Sequence, residues 1–434
     1  MKLSQFTLFI EGHPQVGRNL IYNTFSRSLI EINDQCLHAL YSIRDGKQPS
    51  FPETVLQKLS LQGFIVDDER DEKELYIEKY RSQCESQEEL HATILTTFEC
   101  PMACVYCYQK HIEDDMRMSE GMTKEVIIWL KRQIQERRPK RCFITFYGGE
   151  PLMNMKPIER ISSEMRGYCG DRGIKLELSI VTSGLLLIQE VAERLRHAGI
   201  RHLQITLDGD RDTHDRRRLR SDGSGTFDAI TDNIRNLMDG FYITISSNVD
   251  NTNKDAVYRL IDMVASQSYA GKVRRFTFGP VTDDFQVARR NHTACPMTDD
   301  EDLVALVIYA AKHGFITDLR PEHTICGMLL SSHLIMDPYG GLYTCPSFLG
   351  MEDYGVGNIK FMDYTSPNEV SGFVLEDECL ECPYVPICNG GCRYNALVEQ
   401  GDIQAMDCRR DTFSLTLPLL LKTHYDLRNK DVKS

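Results

Sequence analysis

The sequence predicts an α/β fold: a partial (β/α)6 barrel, preceded by a small α+β domain and followed by a cysteine-rich domain. Three observations carry this reading. Six short apolar, β-branched runs recur at 93–98, 142–147, 176–181, 202–207, 242–246 and 275–278, with helical segments between them. Nearly every run ends in small or polar residues, as in Tyr147-Gly148-Gly149-Glu150, Thr182-Ser183-Gly184 and Asp208-Gly209. After about residue 319 the rhythm stops, and seven of the chain's 15 cysteines follow.

Taken in order, residues 1–88 form the first domain. Strand-like runs at 6–10 and 20–32 are separated by Gly12, Pro14 and Gly17. A helix follows over 33–43, with Asn33 or Asp34 placed to cap it. A second helix over 52–62 ends at Gly63, where a C-cap glycine belongs. Ile65-Val66 reads as a last short strand, and the acidic run 67–89 as a solvated linker or helix face. The barrel then occupies 89–318 and the cysteine-rich domain 319–434. In β/α barrels the C-terminal strand ends build the active face, so the small and polar strand ends are expected around one mouth.

Composition narrows the function classes. With 434 residues, 41% hydrophobic and 26% charged, the chain is long enough for two or three domains with a real core. No apolar run approaches a membrane span, and the first residues open no signal peptide, so a cytoplasmic protein is expected. The net charge of −13 argues against a nucleic-acid partner. Fifteen cysteines without an export signal point to metal or redox use rather than disulfides. Ten of them fall into two spaced sets; Cys36, Cys84, Cys142, Cys169 and Cys295 are scattered and read as small core residues.

The first set is Cys100, Cys104 and Cys107, spaced C-x3-C-x2-C directly after the first barrel strand. Three thiolates on one loop can hold three irons of a [4Fe–4S] cube and leave the fourth bare to chelate a ligand. A structural zinc site would need a fourth ligand close by, and 108–110 supplies none. The second set reads Cys326-x13-Gly340-x4-Cys345, then Cys379, Cys382, Cys388, Cys392 and Cys408. Spacing alone leaves zinc and iron–sulfur open here, since C-x2-C is also a zinc-ribbon element. The upstream triad favours iron–sulfur.

On these motifs the chain resembles the radical S-adenosylmethionine (SAM) enzymes that carry a C-terminal SPASM domain, over about residues 90–410. The cysteine loop with Tyr106 before its last thiol, the Gly148-Gly149-Glu150 segment, Thr206-Leu207-Asp208-Gly209 followed by His214-Asp215 and Arg218, and the seven-cysteine spacing all match in order. The resemblance implies three [4Fe–4S] clusters and bound SAM. The bare iron at Cys100, Cys104 and Cys107 would take the methionyl group. Gly148 and Gly149 would let backbone approach the ligand, Glu150 would accept from its ammonium, Arg218 would pair with its carboxylate, and Tyr106, Ser183 and Thr206 would complete the site. Helix capping is the plain alternative for Glu150 and Asp208. Cys379, Cys382, Cys388 and Cys408 would hold one auxiliary cluster, and Cys326, Cys345 and Cys392 the other. The fourth ligand of that second cluster is Cys295, a non-cysteine residue, or nothing.

The family's chemistry is a 5′-deoxyadenosyl radical that abstracts hydrogen, fed by an external one-electron reductant such as a flavodoxin or ferredoxin. Sulfatase-maturing members carry an aspartate after the cysteine equivalent to Cys345. Here that residue is Pro346. Maturases of ribosomally made peptides are the better match, with residues 1–88 similar to a winged-helix-like module that binds a leader peptide. The expected outcome is a thioether or carbon–carbon crosslink in a precursor peptide, with epimerisation, backbone excision, a protein or small-molecule substrate, and a non-catalytic metal-binding module as alternatives.

Overall fold

The computed structural model describes residues 1–47, 51–112, 116–281, 300–361, 363–364 and 373–431. Cys295 lies outside them. The chain divides into two compact units that do not follow its order: 1–84 with 317–326 and 373–434, and 85–316 with 327–372.

The larger unit is built on one sheet. Six parallel strands run β6 (Glu89–Leu95), β7 (Arg141–Tyr147), β8 (Lys175–Thr182), β9 (His202–Thr206), β10 (Tyr242–Val249) and β11 (Val273–Pro280), each beside the next. Between them lie α4 (Glu120–Arg137), α5 (Met155–Gly170), α6 (Gln189–Ala198), α7 (Arg211–Arg217), α8 (Phe227–Asn236) and α9 (Lys254–Ser266). Ser119 caps α4 by accepting from the Met122 N–H, and Gly199 closes α6 in a left-handed conformation. Alternation along the strands sets the two faces. In β7, Cys142, Ile144 and Phe146 are buried in the main core, while Phe143, Thr145 and Tyr147 are half-buried on the other face.

All six expected strands are present. The first starts four residues earlier than its apolar run, at Glu89, because Glu89 and His91 stand on the more open face where polar residues are tolerated. The cysteine-rich segment also contributes to this sheet, which the sequence did not reveal. β12 (His333–Met336) pairs in parallel with β6, and β13 (Gly341–Tyr343), β14 (Gly357–Asn358) and β15 (Asp363–Tyr364) extend it antiparallel to ten strands.

In the smaller unit, β2 (Thr7–Ile10), β3 (Arg18–Asn23) and β4 (Leu29–Asn33) form an antiparallel sheet, and β1 (Lys2–Leu3) pairs with β5 (Ile65–Val66). Asn33 caps α1 (Asp34–Arg44) by accepting from Cys36 N–H at 2.9 Å. Period-two alternation sends Ile21 and Ile32 against α1 and α2 (Glu53–Leu61). It sends Ile10, Leu20 and Tyr22 against Leu417, Leu421 and Ile387. The acidic run folds into α3 (Glu72–Glu85), which buries Tyr76 beside Phe6 and Val385. Of the two expectations the helix face holds, with Tyr76 and Cys84 buried on its inner side.

Candidate active site

The loop carrying Cys100, Cys104 and Cys107 leaves the C-terminal end of β6 and is pinned on two sides. Its backbone pairs with the segment after α7: Ala103 N–H donates to Leu219 O at 2.8 Å, Val105 N–H to Arg217 O at 2.9 Å, and Met102 bridges Arg220. On the other side, Gly149 N–H donates to Thr97 O at 2.9 Å and Glu150 N–H to Glu99 O at 2.7 Å. A Cβ on Gly148 would stand 2.4 Å from Thr97 O, and one on Gly149 would stand 2.3 Å from Phe98 O. The two glycines therefore let the cysteine loop close onto the end of β7. That close approach of backbone to backbone is a reason for them beyond the approach to a ligand expected from sequence.

Glu150 is fully buried and takes four hydrogen bonds: from Leu152 N–H (3.1 Å), Thr182 Oγ1 (2.7 Å), Ser183 N–H (2.8 Å) and Ser183 Oγ (2.5 Å). Capping is thus part of its role, and it also ties the end of β7 to the end of β8. Those four donors occupy the carboxylate's acceptor sites, so accepting from a ligand ammonium requires displacing one of them. Ser183 is placed with Glu150 and buried; Thr206 is buried at the end of β9.

Asp208 caps nothing; Asp210 caps α7 instead, accepting from Thr213 N–H at 3.1 Å. The fully buried Asp208 carboxylate accepts from Tyr106 Oη and from Asn248 N–H (2.9 Å), and the Arg217 guanidinium stands 3.7 Å away. Tyr106 Oη also accepts from Arg218 (2.7 Å) and from Asn248 Nδ2 (3.1 Å). Arg217 is held in turn by Asp250 at 2.7 Å. This network fixes Arg218, whose Nε is buried with no hydrogen-bond partner in the structure. Burial pushes the neighbouring Cys104 thiol up, and the Arg218 charge opposes that.

Burial, together with the Arg218 and Arg217 charges, holds His214 well below the usual imidazole range. Its bonds name the neutral tautomer. Thr226 Oγ1 donates to Arg218 O (2.6 Å), so it accepts from His214 Nε2 (3.0 Å), leaving Nδ1 to accept from Asp208 N–H (3.3 Å). Asn248 and Tyr147 stand at strand ends that the sequence placed around the mouth without a role; Arg217 was not singled out, nor was Tyr108, whose hydroxyl pairs with that of Tyr147 at 2.7 Å. Adjacency to Arg218, Cys107 and Gly148 was the available signal.

In the smaller unit, Cys379, Cys382, Cys388 and Cys408 line one cavity of about 370 Å³, with Asp407, Arg409 and Arg410. Burial raises the Cys379 thiol to about 11, with Cys388 and Cys408 adding to it. Between Cys388 and Cys392 the backbone turns through three successive left-handed residues, Asn389, Gly390 and Gly391. A Cβ on Gly391 would stand 2.1 Å from Asp407 O, so only glycine brings the Cys408 segment this close. Among the described residues no three metal-binding side chains stand close enough to share a single ion.

Residues 94–264 match the model of the radical SAM superfamily. Those residues form a radical SAM domain, and relatives of the chain are named as maturating and synthase enzymes. Members bind SAM and a [4Fe–4S] cluster. The relatives it resembles include the radical SAM cyclopropyl synthase TigE of Paramaledivibacter caminithermalis, 22% identical over 85% of this chain and 83% of that protein. A cysteine-type anaerobic sulfatase-maturating enzyme of Clostridium novyi is 24% identical over 68% of this chain and 85% of that protein. Among solved structures, anSMEcpe with bound AdoMet covers 78% of this chain and 100% of its own at TM-score 0.61 and 17% identity. Streptococcus suis SuiB bound to precursor peptide SuiA covers 94% of this chain and 98% of its own at TM-score 0.55 and 15% identity. These last two likenesses show the fold. Among the described residues no helix is long and apolar enough to cross a membrane.

The radical SAM domain's own residues fit its cofactors. Three thiols sit on one anchored loop, and an orphaned, buried guanidinium N–H stands beside Cys104. That is a donor set suited to an iron–sulfur cube and a carboxylate.

Proposed function

We propose that this enzyme is a peptide maturase that modifies a residue of a ribosomally made precursor. The observation that carries the reading is the small sheet β2–β3–β4 with α1 and α2, an added α+β module whose outer strands β2 and β4 pair on one side only among the described residues. An extended leader peptide can add to such an edge through main-chain hydrogen bonds. Support comes from the coverage of the comparisons: the likeness to peptide-bound SuiB includes this module, and relatives named as the mycofactocin maturase MftC and the PqqA peptide cyclase also match. Pro346 in place of an aspartate base argues against sulfatase maturation.

In this reading Cys100, Cys104 and Cys107 hold the first cluster, and Arg218 pairs its guanidinium with the SAM carboxylate. Tyr106, steadied by Asp208 and Asn248, keeps that guanidinium in place. Gly148, Gly149, Glu150, Ser183 and Thr206 shape the rest of the site. When bound, the cluster and SAM supply a 5′-deoxyadenosyl radical that abstracts hydrogen from the peptide. Cys379, Cys382, Cys388 and Cys408 hold an auxiliary cluster, supported by their common cavity, and Cys326, Cys345 and Cys392 hold a second. Electrons come from an external one-electron donor such as a flavodoxin or ferredoxin.

Co-expression with each short reading frame flanking the gene, followed by mass spectrometry, tests this. A defined mass change in one peptide, absent in a Cys104→Ala variant, is expected. Unchanged peptides alongside SAM-dependent turnover of a small molecule would overturn it.

A further inference from the structure

The cluster assigned to Cys326, Cys345 and Cys392 lacks a fourth protein ligand in the sequence pattern. In the smaller unit, α3 runs beside the segment that delivers Cys326. Lys79 Nζ lies 3.0 Å from His323 Nδ1, and His323 Nε2 lies 2.7 Å from Thr24 O. Tyr76 Oη donates to Asn389 Oδ1 at 2.8 Å, and Asn389 Nδ2 donates to Thr324 O at 3.2 Å. These bonds stitch together α3, the approach to Cys326, and the turn between Cys388 and Cys392.

The next residues along α3 are Tyr80 and, one turn later, Cys84, which is 5% exposed. Helical spacing puts both on one face. Tyr80 lies among Cys84, Cys326 and Arg393.

Arg393 supplies an independent sign. It follows Cys392 directly and is fully buried, with its guanidinium 3.7 Å over the Phe373 ring. It donates to the carbonyls of Gly390, Ile403 (3.2 Å) and Ala405 (2.7 Å), and its Nε has no hydrogen-bond partner. Cys326, Asp407, Tyr80 and Cys392 are the ionisable groups around it, and Asp407 is the one carboxylate among them. A buried cation with an unmade N–H is costly unless an anion stands beside it. A thiolate-ligated cluster is such an anion.

We propose that Cys84 is a protein ligand of the auxiliary iron–sulfur cluster held by Cys326 and Cys392. This rests on the auxiliary-cluster reading above. The Cys84 thiol gives its proton to water and its sulfur bonds an iron, with no change in oxidation state. Such a cluster has no iron left open for a substrate thiol, so it relays electrons and does not bind the peptide.

The test uses the full chain with Cys100, Cys104 and Cys107 changed to alanine, reconstituted anaerobically with ⁵⁷Fe, so that only auxiliary irons are counted. About eight irons per chain are expected for two cubes. Cys326→Ala should remove about four. Cys84→Ala should either remove the same cluster or leave one distinct iron, seen by Mössbauer spectroscopy, whose EPR signal shifts on adding cyanide while the parent's does not. Should the alanine variant fail to fold, Cys84→His must still shift the g-values and reduction potential of one cluster. If Cys326→Ala loses a cluster while the Cys84 variants match the parent in iron, Mössbauer and EPR spectra, Cys84 is an ordinary core thiol and the proposal fails. If Cys326→Ala keeps all its iron, the auxiliary-cluster reading itself falls, and this inference with it.

Discussion

Arg218 concentrates the site's electrostatics. Its guanidinium is oriented by Tyr106, itself fixed by Asp208 and Asn248, and one N–H is left unmade. A charge-assisted bond contributes about 1.5–3 kcal/mol, so Arg218→Ala should weaken SAM binding by about 10- to 100-fold in the cluster-loaded protein, measured by equilibrium binding. Arg218→Lys should recover only part, because an ammonium lacks the planar fork. Gly149→Ala should be worse, since its methyl would meet two backbone carbonyls that cannot swing aside. A cost of about 1–3 kcal/mol or more is expected, with about four fewer irons per chain because the cysteine loop cannot seat. The motif residues around Arg218 were readable from sequence because their spacing is chemical. The roles of Arg217, Asn248 and Asp250 were not, because neither adjacency to a motif nor a strand-end position names a partner: they matter through long-range contacts at the ends of different elements.

The strands show the same divide between elements. Apolar runs announced β7 to β11, each of which sends apolar residues of one face into the main core. The early part of β6 escaped notice because Glu89 and His91 interrupt its apolar pattern, and β12 because it is only four residues long and opens on His333. His333 opposes His91 where β12 meets β6, their rings 5.9 Å apart. Burial, helped by His91, lowers the His333 imidazole from 6.5 to about 4. Between those values the unfolded chain binds a proton that the folded chain refuses, so stability is full above about pH 6.5 and declines as the pH falls toward 4. His333→Asn should flatten that decline. The check is the difference in melting temperature between variant and wild type at pH 7.5 and at pH 5, which should narrow at the lower pH.

At the scale of the molecule, the smaller unit joins the first 84 residues to the last 60 or so through one apolar layer. Reading the chain segment by segment separated these stretches, because a contact between residues about 400 apart leaves no local trace. Ile10, Leu20 and Tyr22 pack on Leu417, Leu421 and Ile387, the last of these next to Cys388. Deleting residues 1–66 should therefore do more than abolish the leader recognition proposed for them. It should expose that layer and cost the Cys379, Cys382, Cys388 and Cys408 site its iron, a loss of about four per chain by iron assay. A truncated protein that keeps its full iron content and its melting temperature would separate leader recognition from folding.

The central claim is that a peptide C–H bond is the one broken at this site. The most direct measurement supplies a precursor with deuterium at its side-chain and α carbons to the anaerobic, cluster-loaded enzyme with SAM and reductant. The 5′-deoxyadenosine formed is then weighed by mass spectrometry. Deuterium carried into the nucleoside, with a matching change in the peptide, is the expected result. Unlabelled 5′-deoxyadenosine produced at the same rate with and without every candidate peptide would contradict it.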